Sequence, residues 1–345
     1  MTRSKLPITK LPLTVLAVSV AVAAGVGFAS SNAATDTSSL SVGAALQNAF
    51  VGVYKKVSPS VVQIETSSGL GSGIVFDGKG DIVTNYHVVG SATTFTVTTA
   101  AGTGKQLKGT LVGTFPEDDL AVIKVSGAGL KPAAFANSDR VRVGDIAMAI
   151  GNPLGLSSSV TEGIVSALNR SEPEGNGVVL PSAIQTSAPI NPGNSGGALV
   201  NINGQVIGIP TLAATDPQLG GAAAGIGFAI PSNVVTNIAG QLVKYGKVVN
   251  SNRAYLGVKI ADTGNADGVY ITQVLAGTAA AKAGLKVGQL IVSLNGTATP
   301  TSSELGTALA GLKPGQKVTI KLRSQSGATS SVQLTLGEYP GATTG

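Results

Sequence analysis

Thr84-Asn85-Tyr86-His87-Val88-Val89 holds the single histidine of a 345-residue chain. Two later stretches give it meaning: Asp118-Asp119-Leu120-Ala121-Val122 and Gly193-Asn194-Ser195-Gly196-Gly197. A base, a carboxylate and a hydroxyl thus follow one another in the order His, Asp, Ser. A serine hydroxyl is a weak nucleophile until a neighbouring base takes its proton. Imidazole has the intrinsic pKa for that task near neutral pH. Any imidazole-dependent chemistry in this chain therefore runs through His87. The ring must be held in one tautomer by a carboxylate so that its other nitrogen faces the serine. Asp119 is preferred over its neighbours Asp118 and Glu117, because it directly precedes the apolar run Leu120-Ala121-Val122-Ile123, which fixes its backbone against a core.

The glycines around Ser195 answer a second need. The tetrahedral intermediate of acyl transfer carries an oxyanion that wants two preorganised N–H donors. Gly193 can take backbone angles that turn its amide inward, and Ser195 supplies the other amide, with Asn194 between them. Gly196 and Gly197 let the following strand pack closely. Taken alone, such a turn is an ordinary loop; in register with one histidine and one aspartate it reads as an oxyanion hole. Two other glycine-rich stretches do not carry chemistry. Gly69-Leu70-Gly71-Ser72-Gly73 leads into a strand rather than a helix, so it is not a dinucleotide loop. Gly102-Thr103-Gly104-Lys105 is followed by Gln106 and fails the phosphate-loop pattern. Both are read as turns.

Composition removes other classes. The chain has no cysteine, which excludes disulfides and thiolate chemistry. With one histidine as well, a zinc site would rest almost wholly on carboxylates, so neither metal nor cofactor is expected. Of the formal net charge of +6, removing Arg3, Lys5 and Lys10 of the N-terminal segment leaves +3. No dense basic stripe is present, which argues against nucleic acid as a partner. Met1 to Ala34 reads as a signal peptide or a membrane anchor: a basic start, the uncharged run Leu11 to Ala29, then small residues. Either reading places the body of the protein outside the cytoplasm.

Residues 35–45 read as a spacer, followed by a short helix with Leu46, Phe50 and Tyr54 on one face, ending before Pro59. From Val61 to about Ile230 short β-branched runs alternate with glycine turns, as in Val61–Ile64, Gly73–Phe76, Ile82–Thr84, Phe95–Thr99, Leu120–Val125, Ile146–Ile150, Gly163–Leu168 and Val206–Ile209. Many short strands without long helices between them predict antiparallel barrels, a mainly β fold. Ser232-Asn233 is read as the cap of a helix with Val234, Val235, Ile238, Leu242 and Val243 on its apolar face and Gly246 as its stop. The first module is thus placed at residues 46–246, a linker at 247–253, a second β-rich unit at 254–339 and a tail at 340–345. Asp262 to Gly268 fails calcium-loop spacing and reads as a solvated turn.

The motifs together resemble the HtrA (Deg) family of trypsin-like serine proteases with a C-terminal PDZ domain. The stretches that carry the resemblance are Thr84 to Val89, Asp119 to Lys124, Gly151 to Leu156, Thr161 to Asn169, Ile190 to Leu199 and Gly225 to Pro231. The resemblance implies a chymotrypsin-like double β-barrel, a triad of His87, Asp119 and Ser195, and oxyanion amides at Gly193 and Ser195. It also implies unfolded or damaged proteins as substrates, and a homotrimer built through the N-terminal part of the protease. Two departures are Ser187-Ala188-Pro189-Ile190, where the family often has Asp-Ala-Ala-Ile, and Gly196-Gly197-Ala198-Leu199, where it often has Gly-Gly-Pro-Leu. Gln185 to Asn194 contains no acidic residue, so a pocket selecting Lys or Arg is not expected. Ile190, with Ile226 and Phe228, instead suggests an apolar pocket for small or medium aliphatic residues. Tyr255-Leu256-Gly257-Val258 looks like a PDZ carboxylate loop, taking C-terminal peptides by strand addition. Ser302 to Leu312 would be the helix beside it, with Leu305 and Leu309 as pocket walls. A rival reading is an inactive protease fold serving as chaperone or peptide-binding scaffold.

Overall fold

The computed structural model describes residues 37–345 apart from 68, 100–104, 127–128, 153–158, 176–177, 192, 217–220 and 342–345. The expected signal or anchor segment lies outside the described residues. Among them no helix is long and apolar enough to cross a membrane. The β-branched runs form two closed antiparallel barrels. The first comprises β1 (Val61–Glu65), β2 (Leu70–Val75), β3 (Asp81–Thr84), β4 (Thr94–Thr99), β5 (Gln106–Phe115) and β6 (Leu120–Val125), in the order β1-β2-β3-β6-β5-β4. The second comprises β7 (Ile146–Gly151), β8 (Ser159–Gly175), β9 (Val178–Thr186), β10 (Ala198–Val200), β11 (Val206–Asp216) and β12 (Gly221–Pro231), in the order β10-β11-β12-β9-β8-β7.

Successive side chains of a strand point to opposite faces, and here both faces are buried. Ala121, Ile123 and Val125 of β6 fill the first barrel with Val62, Ile64, Val75 and Ile82. Leu120 and Val122 of the same strand point out of it, into a seam shared with Ile74, Val83, Met148, Ile150 and Ile209. In β7, Ala147 and Ala149 fill the second barrel while Met148 and Ile150 face the seam. A barrel that shows apolar residues on both faces must be covered on one of them, and each barrel covers the other.

Two helices close the seam. α1 spans Thr37–Val57; its Val53 and Val57 are buried, while Leu46 of the expected apolar face is exposed. The helix therefore begins inside the stretch read as a spacer. Between them lies α2 (Tyr86–Val89), a single turn. α3 (Ser232–Tyr245) buries Val235, Ile238, Ala239 and Leu242, and Gly246 ends it in the left-handed conformation. Ser232 does not cap it, since its hydroxyl donates to Ala136 O at 2.7 Å. Asn233 likewise bonds sideways, accepting from Ser138 N at 3.2 Å. Both tie the helix start to the segment that joins the barrels, which outweighs local capping.

The C-terminal unit is built on β14 (Val258–Asp262), β15 (Val269–Val274), β16 (Leu290–Leu294), β17 (Thr297–Ala298), β18 (Lys317–Arg323) and β19 (Thr329–Thr335), while β13 (Ala254–Tyr255) pairs with β20 (Gly337–Glu338). α4 (Ala279–Lys282) and α5 (Ser302–Ala310) lie against the sheet, α5 opening with a capping box between Thr301 and Glu304. The solvated turn at Asp262–Gly268 also has work within the unit: Asp262 Oδ2 accepts from Ser302 Oγ at 2.9 Å.

Because Leu242 is fully buried where α3 meets the seam, Leu242→Ala should cost about 3 kcal/mol. Chemical denaturation would show this as a lower midpoint with an unchanged slope.

Candidate active site

His87 sits on α2, directly after the buried β3, and Asp119 sits at the entry to β6. Asp119 is in the left-handed conformation, φ 48° and ψ 43°, at the end of the turn Pro116–Asp118. Aspartate tolerates this geometry better than most residues, at a cost of about 1–2 kcal/mol. Its backbone carbonyl accepts from Asn85 Nδ2 at 3.0 Å and from Tyr86 N at 3.0 Å. Its carboxylate accepts from His87 N at 2.9 Å and, through the other oxygen, from His87 Nδ1 at 2.8 Å. Main chain and side chain of Asp119 are thus both held by residues 85–87. With Nδ1–H directed at the carboxylate, Nε2 is the basic nitrogen of the neutral ring. The Asp119 side chain is 3% exposed and the His87 side chain 49%, so the couple runs from the interior to the cleft.

Thr211, on β11 of the second barrel, closes the set. Its hydroxyl donates to Asp119 Oδ2 at 2.5 Å, and its carbonyl accepts from Ser195 Oγ at 3.1 Å. The sequence reading passed over Thr211. No local motif marks it, because its partners lie 92 and 16 residues away.

The turn that carries Ser195 is bonded amide by amide. Asn194 N donates to Asn191 O at 3.0 Å, Gly196 N to Pro210 O at 3.1 Å and Gly197 N to Asn194 O at 2.9 Å. The N–H groups of Gly193 and Ser195 have no acceptor among the described residues, and both residues are half-buried. These are the two donors assigned to an oxyanion. Gly193 has φ +104°, a value that favours glycine. Asn194 is buried, its side-chain amide directed to Pro189 O at 3.4 Å, so of this residue only the backbone lies between the two amides. The stretch Gly69–Gly73, read as a turn, belongs largely to β2. From that strand Ser72 reaches across the seam to the same turn: Ser72 N donates to Ser195 O at 3.0 Å and Ser72 Oγ to Gly193 O at 2.5 Å.

Of the residues read as an apolar pocket, Ile190 and Phe228 are buried and Ile226 is 38% exposed. Ile190 packs on Gly227, where an added Cβ would meet Ile190 Cγ1 at 2.4 Å.

The residues rejected in favour of Asp119 have a different task. Asp118 is buried and paired with Arg253, whose guanidinium also donates to Glu117 O at 2.7 Å and to Val179 O at 2.9 Å. Burial pushes the Asp118 carboxyl upward, and Arg253 opposes it. Tyr339 donates its hydroxyl to Glu117 Oε1 and packs edge-on against Phe115 and Tyr255. In the carboxylate-type loop, Gly257 has φ +84°, and a Cβ there would fall 2.1 Å from Thr278 Cβ. Leu256 O accepts from Ala280 N at 2.8 Å, and Gly257 O from Leu275 N at 2.9 Å. Tyr255 and Val258, half-buried, flank that turn as the ends of β13 and β14. A cavity of about 890 Å³ lies beside the loop, lined by Tyr255, Gly257 and Leu305 on one side and by Asp118, Val179 and Pro181 on the other. Among the described residues no group of three His, Asp or Glu could hold a metal ion.

Residues 71–209 match the family model of the trypsin-like peptidase domain, and residues 254–336 match that of the PDZ domain. Fold and site together define a trypsin-like peptidase domain with an appended PDZ domain. The periplasmic pH-dependent serine endoprotease DegQ of Escherichia coli is 41% identical over 280 residues, 78% of this chain and 59% of that protein. The serine protease PepD of Mycobacterium tuberculosis is 39% identical over 306 residues, 83% of this chain and 65% of that protein. A solved structure, the HtrA-type protease AlgW with tripeptide, superimposes with a TM-score of 0.58 at 32% identity, covering 84% of this chain and 97% of that one. The chain belongs to the HtrA family of serine proteases. It spans about three fifths of the length of the curated relatives it matches.

Burial, together with Glu117, raises the Tyr339 phenol, and burial raises that of Tyr255. A phenol kept neutral by the fold contributes stability below its ordinary pKa of about 10, and this is lost as pH climbs from there through the raised value. Denaturation midpoints taken from about pH 8 to about pH 11 should fall more steeply for the native chain than for Tyr339→Phe.

Proposed function

We propose that the chain is a serine endopeptidase acting outside the cytoplasm, with Ser195 as nucleophile, His87 as general base and then acid, and Asp119 as the group that orients the ring. The observation that carries this reading is the pairing of His87 Nδ1 with a buried Asp119, joined through Thr211 to the Ser195 hydroxyl. In the reaction the Ser195 proton leaves Thr211 O for His87 Nε2 as the oxygen attacks the scissile carbonyl. The imidazolium so formed is stabilised by Asp119, and the oxyanion is received by the amides of Gly193 and Ser195. His87 then returns the proton to the leaving amine, and water hydrolyses the acyl-enzyme by the same route.

Ile190, Ile226 and Phe228 support selection of small or medium aliphatic side chains, since no acidic residue between Gln185 and Asn194 would meet a cationic one. The PDZ unit is read as a receptor for peptide C-termini at Tyr255–Val258, with unfolded or damaged proteins as substrates and a homotrimer as the working assembly. The peptide-bearing AlgW structure supports peptide binding, and the periplasmic relatives support a place outside the cytoplasm. The N-terminal segment would be either a cleaved signal or a retained anchor.

The native chain should digest an unfolded protein, and Ser195→Ala should not. A fluorophosphonate probe should label Ser195 only while His87 is present, and Asp119→Asn should lower kcat about 10⁴-fold. Equal inactivity of the native chain and Ser195→Ala, with and without C-terminal peptides, would favour the scaffold reading. Binding of a labelled aliphatic C-terminal peptide, followed by anisotropy, should be lost in Gly257→Val, because a side chain there collides with Thr278.

A further inference from the structure

Ser72 is fully buried on β2, in the first barrel, yet its amide and hydroxyl serve the second. Its hydroxyl donates to Gly193 O at 2.5 Å and accepts from Asn152 N at 2.8 Å. Its amide donates to Ser195 O at 3.0 Å, and its carbonyl accepts from Thr84 Oγ1 at 2.6 Å. Every hydrogen-bonding group of this one residue is engaged, and two of them grip the turn that carries the nucleophile. The grip falls on the carbonyls of Gly193 and Ser195, on either side of Asn194. The amides of Asn194, Gly196 and Gly197 are held within the second barrel. What remains are the Gly193 and Ser195 amides.

A trans peptide is rigid, so fixing one carbonyl fixes the plane of the unit. The Gly193–Asn194 unit is held at its amide edge by Asn191 O and at its carbonyl by Ser72 Oγ. Its two Cα atoms are where the peptides carrying the Gly193 and Ser195 amides set off, and Gly193 has no Cβ to restrict rotation there. Ser72 Oγ is the side chain that holds the Gly193–Asn194 peptide from across the seam. The close approach is enforced from the other side as well, since a Cβ on Gly196 would sit 2.2 Å from Ser72 O.

We propose that Ser72 is a positioning residue for the oxyanion hole: its hydroxyl locks the Gly193–Asn194 peptide so that the amides of Gly193 and Ser195 stay converged. This rests on the serine-endopeptidase reading above. Without the hydroxyl, the Gly193–Asn194 unit is held by its amide edge alone, the peptide before it turns about Gly193 and the Gly193 amide leaves the hole, while the His87–Asp119 couple stays as it was.

The experiment compares the full chain with Ser72→Ala and Ser72→Cys, the second keeping the volume without a strong donor. A short peptide substrate gives kcat and KM, and a peptide boronate, which forms a tetrahedral adduct on Ser195, gives an inhibition constant. Because the chain has one histidine, the low-field proton NMR signal of its Nδ1–H reports the His87–Asp119 couple without ambiguity. Expected for both variants is a fall in kcat of about 10- to 100-fold with KM little changed. Boronate affinity should weaken by the same factor, and the histidine signal should stay unmoved. An active native chain whose folded variants keep kcat within about threefold, or lose KM or the histidine signal instead, overturns the proposal. If neither variant folds, Ser72 is a residue of the barrel seam and the proposal also fails. A native chain that neither hydrolyses peptide nor takes up fluorophosphonate refutes the endopeptidase reading itself, a distinct result.

Discussion

The carboxylate of Asp119 is the point at which the two barrels and the helix that carries His87 are made to agree. Three donors converge on it: the amide and Nδ1–H of His87 from α2, and the hydroxyl of Thr211 from β11. A buried carboxylate is tolerated only when its oxygens are satisfied, and those of Asp119 are satisfied from both barrels at once. The demand therefore runs backwards into the fold. α2 must start with its amide facing the turn before β6, and β11 must approach close enough for one residue to touch Asp119 with its hydroxyl and Ser195 with its carbonyl. The left-handed backbone at residue 119 is the local cost of aiming a side chain back across its own strand.

The strand pattern makes that agreement stiff. β6 carries Ala121 and Ile123 into the first barrel and Leu120 and Val122 into the seam, so shifting its register by one residue would turn both sets around. Asp119 is thereby fixed by the packing of the residues that follow it. On the opposite side, Gly151 and Gly197 lie where a Cβ would meet Gly193 O at 2.7 Å and Ile150 O at 2.4 Å, respectively. Small residues around Ser195 let β7 lie close against the turn that carries it, within the second barrel. The site is rigid because it is the place where two closed barrels touch.

How much of this the chain announces depends on whether a feature is local. His87, Asp119 and Ser195 could be picked out because each stands in a short run with its own chemistry, and because a lone histidine leaves no choice of base. The barrels could be foreseen from β-branched runs separated by glycine, though β5, β9 and β10 were passed over. β10 is only three residues long, and β5 follows a glycine-rich stretch that reads as a turn. Thr211 and Ser72 carried no signal, since a threonine or serine in a strand acquires a role only when another barrel is brought against it. Ser72 stands in a stretch that reads as a glycine turn; the cue to its role is a serine flanked by glycines that leads into an apolar strand, small neighbours that leave room for a foreign backbone. Ser232 erred in the other direction, its helix-capping pattern being overridden by a tertiary bond to Ala136 O.

The seat of the PDZ unit follows the same logic of a satisfied buried charge. Arg253 bonds Asp118 and the carbonyl of Glu117 in the first barrel and the carbonyl of Val179 in the second. An apolar contact of similar size would hold as well and avoid the desolvation of two ions. Unlike a guanidinium, however, it would not demand three acceptors in one plane, so it would permit sliding. Sliding matters here because Asp118 is bonded in sequence to Asp119, and any rotation of that turn would swing the carboxylate that orients His87. Two residues beyond Arg253 the chain becomes the Tyr255–Val258 loop, so the clamp and the loop share one short segment. A directional ion pair at this spot fixes the Tyr255–Val258 loop and the turn that carries Asp119 to the same frame.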